Sequence, residues 1–279
     1  MTETAAGAAA RPADRGARAG DGRIGLRAHL RHIGALVRRN ALQIKQDPES
    51  MFDAVLMPIV FVLLFVYVFG GAISGKGNQD EYVDYVVPGL MAMMGLSIAM
   101  AVGAGVNDDA RKGVMDRFRS MPIARSSVLI AKIVVELGRM GIGMTILLGM
   151  GFALGMEVKT SFLHVVAAMA LSLLFGASLM WIFILLGLAL KTPQAVQGLG
   201  FLVLMPLQFG SSIFVPPWTM PEWLEEFTQY NPLSNLADAA RALINGGELA
   251  SSVWMTLGWT ALITLATAPI AVARFARKD

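Results

Sequence analysis

One stretch of the chain has glycines and a lysine at the spacing of a phosphate-binding loop. Gly70, Gly75 and Lys76 match the pattern Gly-x4-Gly-Lys, in which backbone amides and the lysine hold nucleotide phosphates. The next residue is Gly77, where magnesium coordination needs a serine or threonine. The stretch also ends an apolar run of helix length, whereas a phosphate loop joins a strand to a helix. We therefore interpret the match as accidental and expect no ATPase site in this chain.

The remaining reactive side chains are too few and too scattered to predict an enzyme or a metal centre. The chain has no cysteine and three histidines, His29, His32 and His164, without acids at ligand spacing. We interpret them as ordinary surface histidines. Ion-coupled transporters usually place acids inside the membrane, but Asp53 and Glu136 are expected near its cytoplasmic boundary.

Three charged residues share one face of the third apolar segment. Lys132, Glu136 and Arg139 are separated by four and three residues, the spacings at which helix side chains meet. We predict a solvated ion-pair cluster within one helix. The membrane-embedded part of this segment is then expected to begin near Met140.

The composition of the chain predicts a polytopic membrane protein. Hydrophobic residues make up 55% of the chain and charged residues 15%, whereas soluble proteins carry about 25% charged residues. A helix needs about 20 apolar residues to cross roughly 30 Å of hydrocarbon, and blocks of this length exclude barrel strands. Six blocks qualify, at residues 51–71, 85–106, 127–155, 162–190, 195–214 and 254–273. The expected fold class is therefore all-α, with six transmembrane helices in a domain at residues 47–279.

Lysines and arginines are distributed unequally between the segments that connect these blocks. Eighteen lie in one set, formed by residues 1–50, 107–126, 191–194 and 274–279. The other set holds three, Lys76, Lys159 and Arg241. Because basic residues favour cytoplasmic loops, we expect both termini in the cytoplasm, with the spans in a bacterial plasma membrane. The positive charge is a topology signal here and does not indicate nucleic-acid binding.

Segments outside the spans have further patterns. Residues 1–22 lack the apolar core of a secretion signal, and we interpret them as a disordered cytosolic tail. Residues 23–46 alternate apolar and basic side chains with a helical period, which predicts an amphipathic interfacial helix. This helix serves either as a lipid anchor or as a contact for a partner. On the other side, residues 234–244 are predicted to form a capped amphipathic helix that enters the outer leaflet.

The loop at residues 107–127 combines paired charges with an apolar face. Val114, Met115 and Phe118 alternate with charged residues, and Pro122 ends the pattern. A loop that only fixed topology would not need this apolar face. We therefore favour a short helix that docks on a soluble partner, and a plain topological loop is the alternative.

Four stretches of the sequence resemble a known family. Residues 43–73 (QIKQDPESMFDAVLMPIVFVLLFVYVFGGAI), 84–90 (DYVVPGL) and 112–126 (KGVMDRFRSMPIARS) resemble permeases of ABC transporters of the daunorubicin-resistance type. Residues 231–243 (NPLSNLADAARAL) resemble the external helical segment before the last span in the broader type-2 exporter permease class. The resemblance covers nearly the whole chain from Arg23 onward.

The resemblance implies the type-2 ABC exporter permease fold, with six helices per subunit and two subunits around the pathway. It also implies a separate cytosolic ABC ATPase subunit, so that ATP and magnesium bind the partner and this chain needs no cofactor. In that family the N-terminal helix and the first cytoplasmic loop contact the ATPase. The corresponding candidate coupling residues are Arg38, Arg39, Asp108, Asp109, Arg111, Lys112, Gly113, Asp116, Arg117, Phe118, Arg119 and Pro122.

The function expected from these observations is export of amphipathic drugs, antibiotics or lipid-like compounds, because no charged cluster is predicted along the spans. Met91, Met94 and Met205 are candidate pathway residues, since methionine adapts to varied ligands; helix packing or lipid contact is the alternative for them. Gln208 is a further pathway candidate.

An ion-coupled secondary transporter and a non-transporting scaffold subunit are the alternative functions. The sequence does not decide whether the permease pairs with itself or with a related permease.

Overall fold

The computed structural model describes Gly34 and residues 36–38, 48–73, 79–114, 125–247 and 250–277. Within these ranges every regular element is helical, which confirms the all-α fold class. The α-helices are α1 (Pro48–Leu63), α2 (Gly70–Ile73), α3 (Gln79–Arg111), α4 (Arg125–Ala153), α5 (Phe162–Ala189), α6 (Pro193–Phe209), α7 (Glu222–Tyr230), α8 (Pro232–Asn245) and α9 (Ala250–Arg277). A π-helix, Leu64–Phe69, joins α1 to α2, and a short 3-10 turn, Pro217–Thr219, precedes α7.

Four helices in the described ranges are long and apolar enough to cross a membrane. Their candidate spans are Glu81–Arg111, Ser126–Ala153, Phe162–Ala189 and Ser251–Phe275, and Val55–Phe69 is a shorter apolar helix. α6 has 17 residues, or about 25 Å at 1.5 Å per residue, which is shorter than the roughly 30 Å of a hydrocarbon core. The structure therefore confirms a multi-helix membrane chain, and the full count of six spans stays a prediction.

The helix boundaries differ from the predicted ones where charge or a turn intervenes. α3 begins six residues before the predicted start at 85 and ends five residues after the predicted end at 106, because its charged ends stay helical. α6 ends at Phe209, although the apolar run continues to residue 214. Ile213 and Phe214 lie in the turn that follows and are buried in the core, so their apolar character reflects packing rather than a span.

α3 forms the centre of the helix assembly. It packs against α4, α5, α6 and α8, and 67% of its most apolar stretch is buried, compared with 17% in α9. The closest approach joins α3 to α5: a Cβ atom added to Gly187 would meet the carbonyl oxygen of Gly103, and one added to Gly103 would lie 2.5 Å from the Phe183 oxygen. Small residues permit such close helix contact in membranes.

The π-helix at Leu64–Phe69 connects the first apolar helix with the turn after α6. The Gly70 amide donates to the Phe65 carbonyl, which is the hydrogen bond of a π-turn. The Phe65 ring stacks on Phe214 with ring centroids 4.5 Å apart and planes 7° from parallel. This contact holds the C-terminal part of the first apolar helix against the core.

The N-terminal predictions lie almost entirely outside the described residues. Residues 1–22 are not described, and within 23–46 the structure describes Gly34 and residues 36–38, which are helical. Leu36 packs against the hydrophobic core, and Arg38 is exposed. The disordered tail and the amphipathic helix stay predictions.

Candidate functional site

The end of the helix assembly where α3 finishes carries most of the described coupling candidates. We call this the basic end: residues 107–111 of α3, residues 112–113 after it, Lys132 of α4 and the connection after α5 at residues 190–192. Lys112 Nζ lies 2.6 Å from Asp108 Oδ2, and this hydrogen bond raises the pKa of Lys112. Arg111 and Lys112 are exposed, and Gly113 has a φ of 70°, the left-handed conformation in which helices commonly terminate.

A salt bridge at the basic end joins α3 to α4. Lys132 Nζ lies 2.6 Å from Asp109 Oδ2, and the two side chains are partly buried. Since Lys132 reaches across to α3, it does not complete the predicted cluster with Glu136 and Arg139. The two helices that flank the loop at 107–127 are therefore linked directly at the base of that loop.

Asn107 joins α3 to α5 at the same end. Its Nδ2 donates to the Gly187 carbonyl at 2.8 Å and to the Leu190 carbonyl at 2.7 Å, which are acceptors near the C-terminus of α5. Sequence reasoning missed this residue, although an asparagine at the end of a long apolar block is a recognisable signal. Contacts in the last turns of α3, next to the loop, thus connect α3 with both α4 and α5.

The structure tests part of the predicted coupling set. Asp108, Asp109, Arg111, Lys112 and Gly113 lie together at the basic end. The other loop and helix candidates outside the described residues are Arg39, Asp116, Arg117, Phe118, Arg119 and Pro122. The placement of these six residues and the coupling role of the whole set stay predictions.

The Glu136–Arg139 ion pair predicted on α4 is confirmed, but the prediction that the charge cluster is solvated is wrong. Arg139 Nη2 lies 2.8 Å from Glu136 Oε2, but the two side chains are only 13% and 15% exposed, respectively. The reason is that α4 packs against both α1 and α3, which cover this face of the helix. The candidate span of α4 also begins at Ser126 rather than near Met140.

Arg139 lines a cavity of about 360 Å³ between α1, α3 and α4. The opposing walls include Met57 and Phe61 from α1 and Met94 and Ser97 from α3. Ser97 lies ten residues from Asn107 along α3, or about 15 Å at 1.5 Å per residue. This distance is about half of a hydrocarbon core, so Arg139 lies at mid-depth rather than at the boundary.

The four pathway candidates are not brought together. Met94 lines the cavity, whereas Met91 is fully buried in the core. Met205 is 52% exposed on α6. Gln208 is half-buried, and its backbone carbonyl accepts a hydrogen bond from the Ser211 hydroxyl at 2.5 Å. The structure thus places one of the four at the cavity.

The opposite end of α3 is closed by a network around Arg241. The Arg241 Nε donates to the Tyr85 carbonyl at 2.9 Å, and its Nη2 donates to the Ser212 carbonyl at 2.7 Å and the Ile213 carbonyl at 3.0 Å. Nη1 lies 2.7 Å from Asp238 Oδ1, and the guanidinium stacks 3.6 Å from the centre of the Tyr85 ring. We call this end the capped end. The sequence identified Arg241 only as a loop charge.

α8 packs against other helices of the protein. The predicted helix at 234–244 is confirmed and spans Pro232–Asn245, with Asn231 as its cap: the Asn231 side chain accepts from the Leu233 amide. Its apolar face is buried against α3, α5 and α9, and its entry into the outer leaflet stays a prediction. Asn231 Nδ2 also donates to the carbonyls of Leu207 and Gly210, at 2.7 and 2.8 Å, so it closes the end of α6 as well.

Comparison with known proteins gives consistent matches over most of the chain. Residues 31–245 match the family described as ABC-2 type transporter. The chain is 34% identical over 241 residues to a daunorubicin resistance ABC transporter permease protein of Streptomyces coeruleorubidus, covering 86% of this chain and 84% of that protein. It is 30% identical over 223 residues to a doxorubicin resistance ABC transporter permease protein of Mycobacterium tuberculosis, covering 76% and 75%. A probable multidrug ABC transporter permease of Escherichia coli is 26% identical over 200 residues, covering 71% and 54%.

Proposed function

The chain belongs to the ABC-2 type transporter family, and we propose that it is the permease subunit of an ATP-driven exporter. A separate cytosolic ABC ATPase binds ATP and magnesium, and this chain forms the membrane pathway. The cargo is an amphipathic drug, antibiotic or lipid-like compound. Two observations support this cargo class. The cavity beside Met94 is largely apolar, and the chain is similar to permeases that are named for daunorubicin and doxorubicin resistance.

The observation that carries the proposal is the link between α3 and α4 at the base of the cytoplasmic loop. The Asp109–Lys132 bridge joins the two helices where the loop begins. The same two helices supply one wall each to the cavity, through Ser97 and Arg139. A partner that pulls or rotates the loop therefore moves both walls together.

The exporter cycle follows from unequal binding to two states. A ligand shifts a conformational equilibrium only by its difference in affinity for the two states. ATP favours the closed ATPase dimer, the ATPase contacts the loop at residues 113–122, and the loop passes this bias to α3 and α4. Six membrane helices per subunit and two subunits, identical or related, complete the pathway.

Asp109→Asn is expected to reduce cargo-stimulated ATP hydrolysis several-fold while basal hydrolysis is retained. The substitution removes the charge that binds Lys132, so the loop no longer moves α3 and α4 as one body. The measurement is ATPase activity in lipid nanodiscs, after co-expression with the ATPase from a neighbouring gene, with and without candidate drugs. Phe118→Ala tests the loop itself in the same assay.

Asp108→Asn is the matched control for this experiment. Asp108 bonds only within α3 in the described contacts, to the exposed Lys112, so its loss leaves the α3–α4 link intact. Unchanged cargo-stimulated hydrolysis in Asp109→Asn would show that the link carries no coupling, and a loss in Asp109→Asn without a loss in Asp108→Asn would assign the coupling to the link. Failure to form a complex with any ATPase would remove the exporter function altogether.

Single-cysteine labelling tests the proposed orientation. The chain has no native cysteine, so each introduced thiol is unique. Lys191→Cys, at the basic end, is expected to react with a membrane-impermeant maleimide only after the cells are opened. Trp218→Cys lies in the turn before α7, where Trp218 is 74% exposed, and should react in intact cells. The reverse pattern would place both termini outside the cytoplasm.

One observation favours ion-coupled secondary transport as a second candidate. Glu136 is an acid that is mostly buried within a membrane span, and buried acids serve proton relays in transporters. Transport that follows an imposed pH gradient in vesicles without any ATPase would support this candidate. Transport that requires the ATPase and persists in Glu136→Gln would exclude it.

A further inference from the structure

The cavity between α1, α3 and α4 combines apolar walls with two polar side chains, Ser97 and Arg139. Among the lining side chains that the structure describes, Arg139 carries the only charge, and the walls around it are formed by residues such as Phe61, Met94 and Leu147. At about 360 Å³ the volume falls within the range of about 300–1,000 Å³ that small-molecule sites occupy. This combination of apolar walls and a few localised polar groups is typical of sites for amphipathic molecules.

The chemistry of Arg139 restricts what the polar end of the occupant can be. A guanidinium donates hydrogen bonds through its N–H groups and cannot accept one. The matching group on the ligand is therefore an acceptor oxygen. An ammonium group, which only donates, would meet the guanidinium charge without a hydrogen bond to compensate for losing water.

Glu136 determines the charge that the polar end of the ligand should carry. It lies 2.8 Å from Arg139 Nη2 and balances the positive charge inside the span. A carboxylate on the ligand would bring a second negative charge beside Glu136, and like charges in one buried site disfavour each other. A neutral acceptor, such as a ketone, ester or amide carbonyl, bonds to the guanidinium without changing this balance.

We propose that the cavity between α1, α3 and α4 binds amphipathic molecules through an uncharged end, whose carbonyl-type acceptor oxygen receives a hydrogen bond from Arg139. This inference rests on the exporter function proposed above and names the cargo class within it. Entry is from the side of α3 where Ser97 and Ala101 are exposed. The acceptor sits at mid-depth, and the apolar body lies along the α1 wall.

The test uses two photoreactive probes of equal chain length in nanodiscs that contain the full chain. Both carry an alkyl diazirine, and one ends in a methyl ketone whereas the other ends in an ammonium group. Labelling of the cavity peptides in α3 and α4 is divided by labelling of the exposed face of α6, which includes Leu202 and Met205. This ratio removes differences in partitioning into lipid. The ketone is expected to give a ratio about tenfold higher, a factor equivalent to about 1.4 kcal/mol.

Two variants locate the effect. Ser97→Phe fills the cavity from an exposed position, and we expect it to reduce ketone labelling of α3 and α4 about tenfold, a factor equivalent to about 1.4 kcal/mol. The double variant Glu136→Gln, Arg139→Gln replaces the ion pair by neutral amides, so that neither charge is left buried alone. This double variant is expected to remove the preference for ketone over ammonium. Leu265→Phe, at a 75% exposed position of α9 outside the cavity, serves as the control and should change neither result.

The outcomes separate this inference from the exporter function. Equal labelling by the two probes, or ketone labelling that is unchanged in Ser97→Phe, would overturn the cavity assignment, even where the complex still shows cargo-stimulated ATP hydrolysis. Crosslinking of a second copy across Ser97 would also overturn it, because that surface would then be a subunit interface. Selective cavity labelling together with failure to bind any ATPase would uphold the site and overturn the exporter function.

Discussion

Replacement of Arg241 by methionine is expected to destabilise the protein by about 3–5 kcal/mol, the usual consequence of removing one partner from a buried ionic and hydrogen-bonded network. Arg241 is only 11% exposed, and it donates to the carbonyls of Tyr85, Ser212 and Ile213. Each buried carbonyl left without a donor costs about 1–3 kcal/mol. Methionine keeps much of the apolar volume, so the change isolates the loss of hydrogen bonds and charge. The measurement is thermal unfolding in detergent, followed by tryptophan fluorescence.

Two control variants separate the effect of the buried network from the effect of removing a charge. Lys159→Met removes a charge from the same end, but Lys159 is 58% exposed and lies 3.5 Å from Asp84; exposed pairs contribute about 0–1 kcal/mol. Arg241→Lys keeps the charge and loses the planar fork and the stacking on Tyr85, so we expect an intermediate loss. Unfolding of Arg241→Met at the wild-type temperature would show that the capped end does not depend on this residue.

Gly187→Ala is expected to destabilise the protein by at least about 1–3 kcal/mol, the range for overpacking a close contact. The new methyl group would meet the backbone of Gly103, including its carbonyl carbon at 3.2 Å. Backbone atoms cannot move away as a flexible side chain does, so α3 and α5 must separate. Separation also lengthens the hydrogen bonds from Asn107 to Gly187 and Leu190. The prediction is checked by thermal unfolding and by the yield of folded protein in size-exclusion chromatography.

Gly149→Ala in α4 is the matched control for the glycine contact. A Cβ atom added at Gly149 would have no heavy atom within 4 Å. Replacing a helical glycine by alanine at an unstrained position stabilises by about 0.4–1 kcal/mol. Both substitutions replace a helical glycine by alanine, and we expect their effects on the free energy of unfolding to have opposite signs. If both variants unfold at the same temperature, the close approach of α3 and α5 does not limit stability.

Helices that consist of one uncharged apolar block could be predicted from the sequence with good boundaries. The fourth block, predicted at 162–190, corresponds to α5 at Phe162–Ala189, because nothing within it favours a turn and polar residues flank it. The fifth block was less predictable. Its last residues, including Ile213 and Phe214, are apolar because the core needs them and not because a helix continues.

The pairing of charges was not predictable from local spacing. Lys132, Glu136 and Arg139 satisfy the rule for neighbours on one helix, but Lys132 bonds to Asp109 on α3. The rule concerns an isolated helix surface, and it contains no information about which helix packs beside it. The candidate site follows the same logic: Asp108 to Gly113 could be found as a loop pattern, whereas the cavity needs three helices that are distant along the chain.

Arg241 shows the same limit at the opposite end. Its partners Tyr85 and Ser212 precede it by 156 and 29 residues. In the sequence it stands three residues after Asp238, which indicates an ordinary helical ion pair and nothing more. A charged residue that donates hydrogen bonds to backbone carbonyls far away in the sequence has no local sequence pattern. Its contribution to stability is recognised only from the structure.

The Glu136–Arg139 pair has an electrical consequence. Moving one elementary charge across a membrane potential involves about 2.3 kcal/mol per 100 mV. Because the two opposite charges are three residues apart on the same helix and 2.8 Å from each other, they move as a unit that carries no net charge. The pair can therefore shift with α4 along the membrane normal with almost no work against the field. It adds almost no voltage dependence to the motion of this wall.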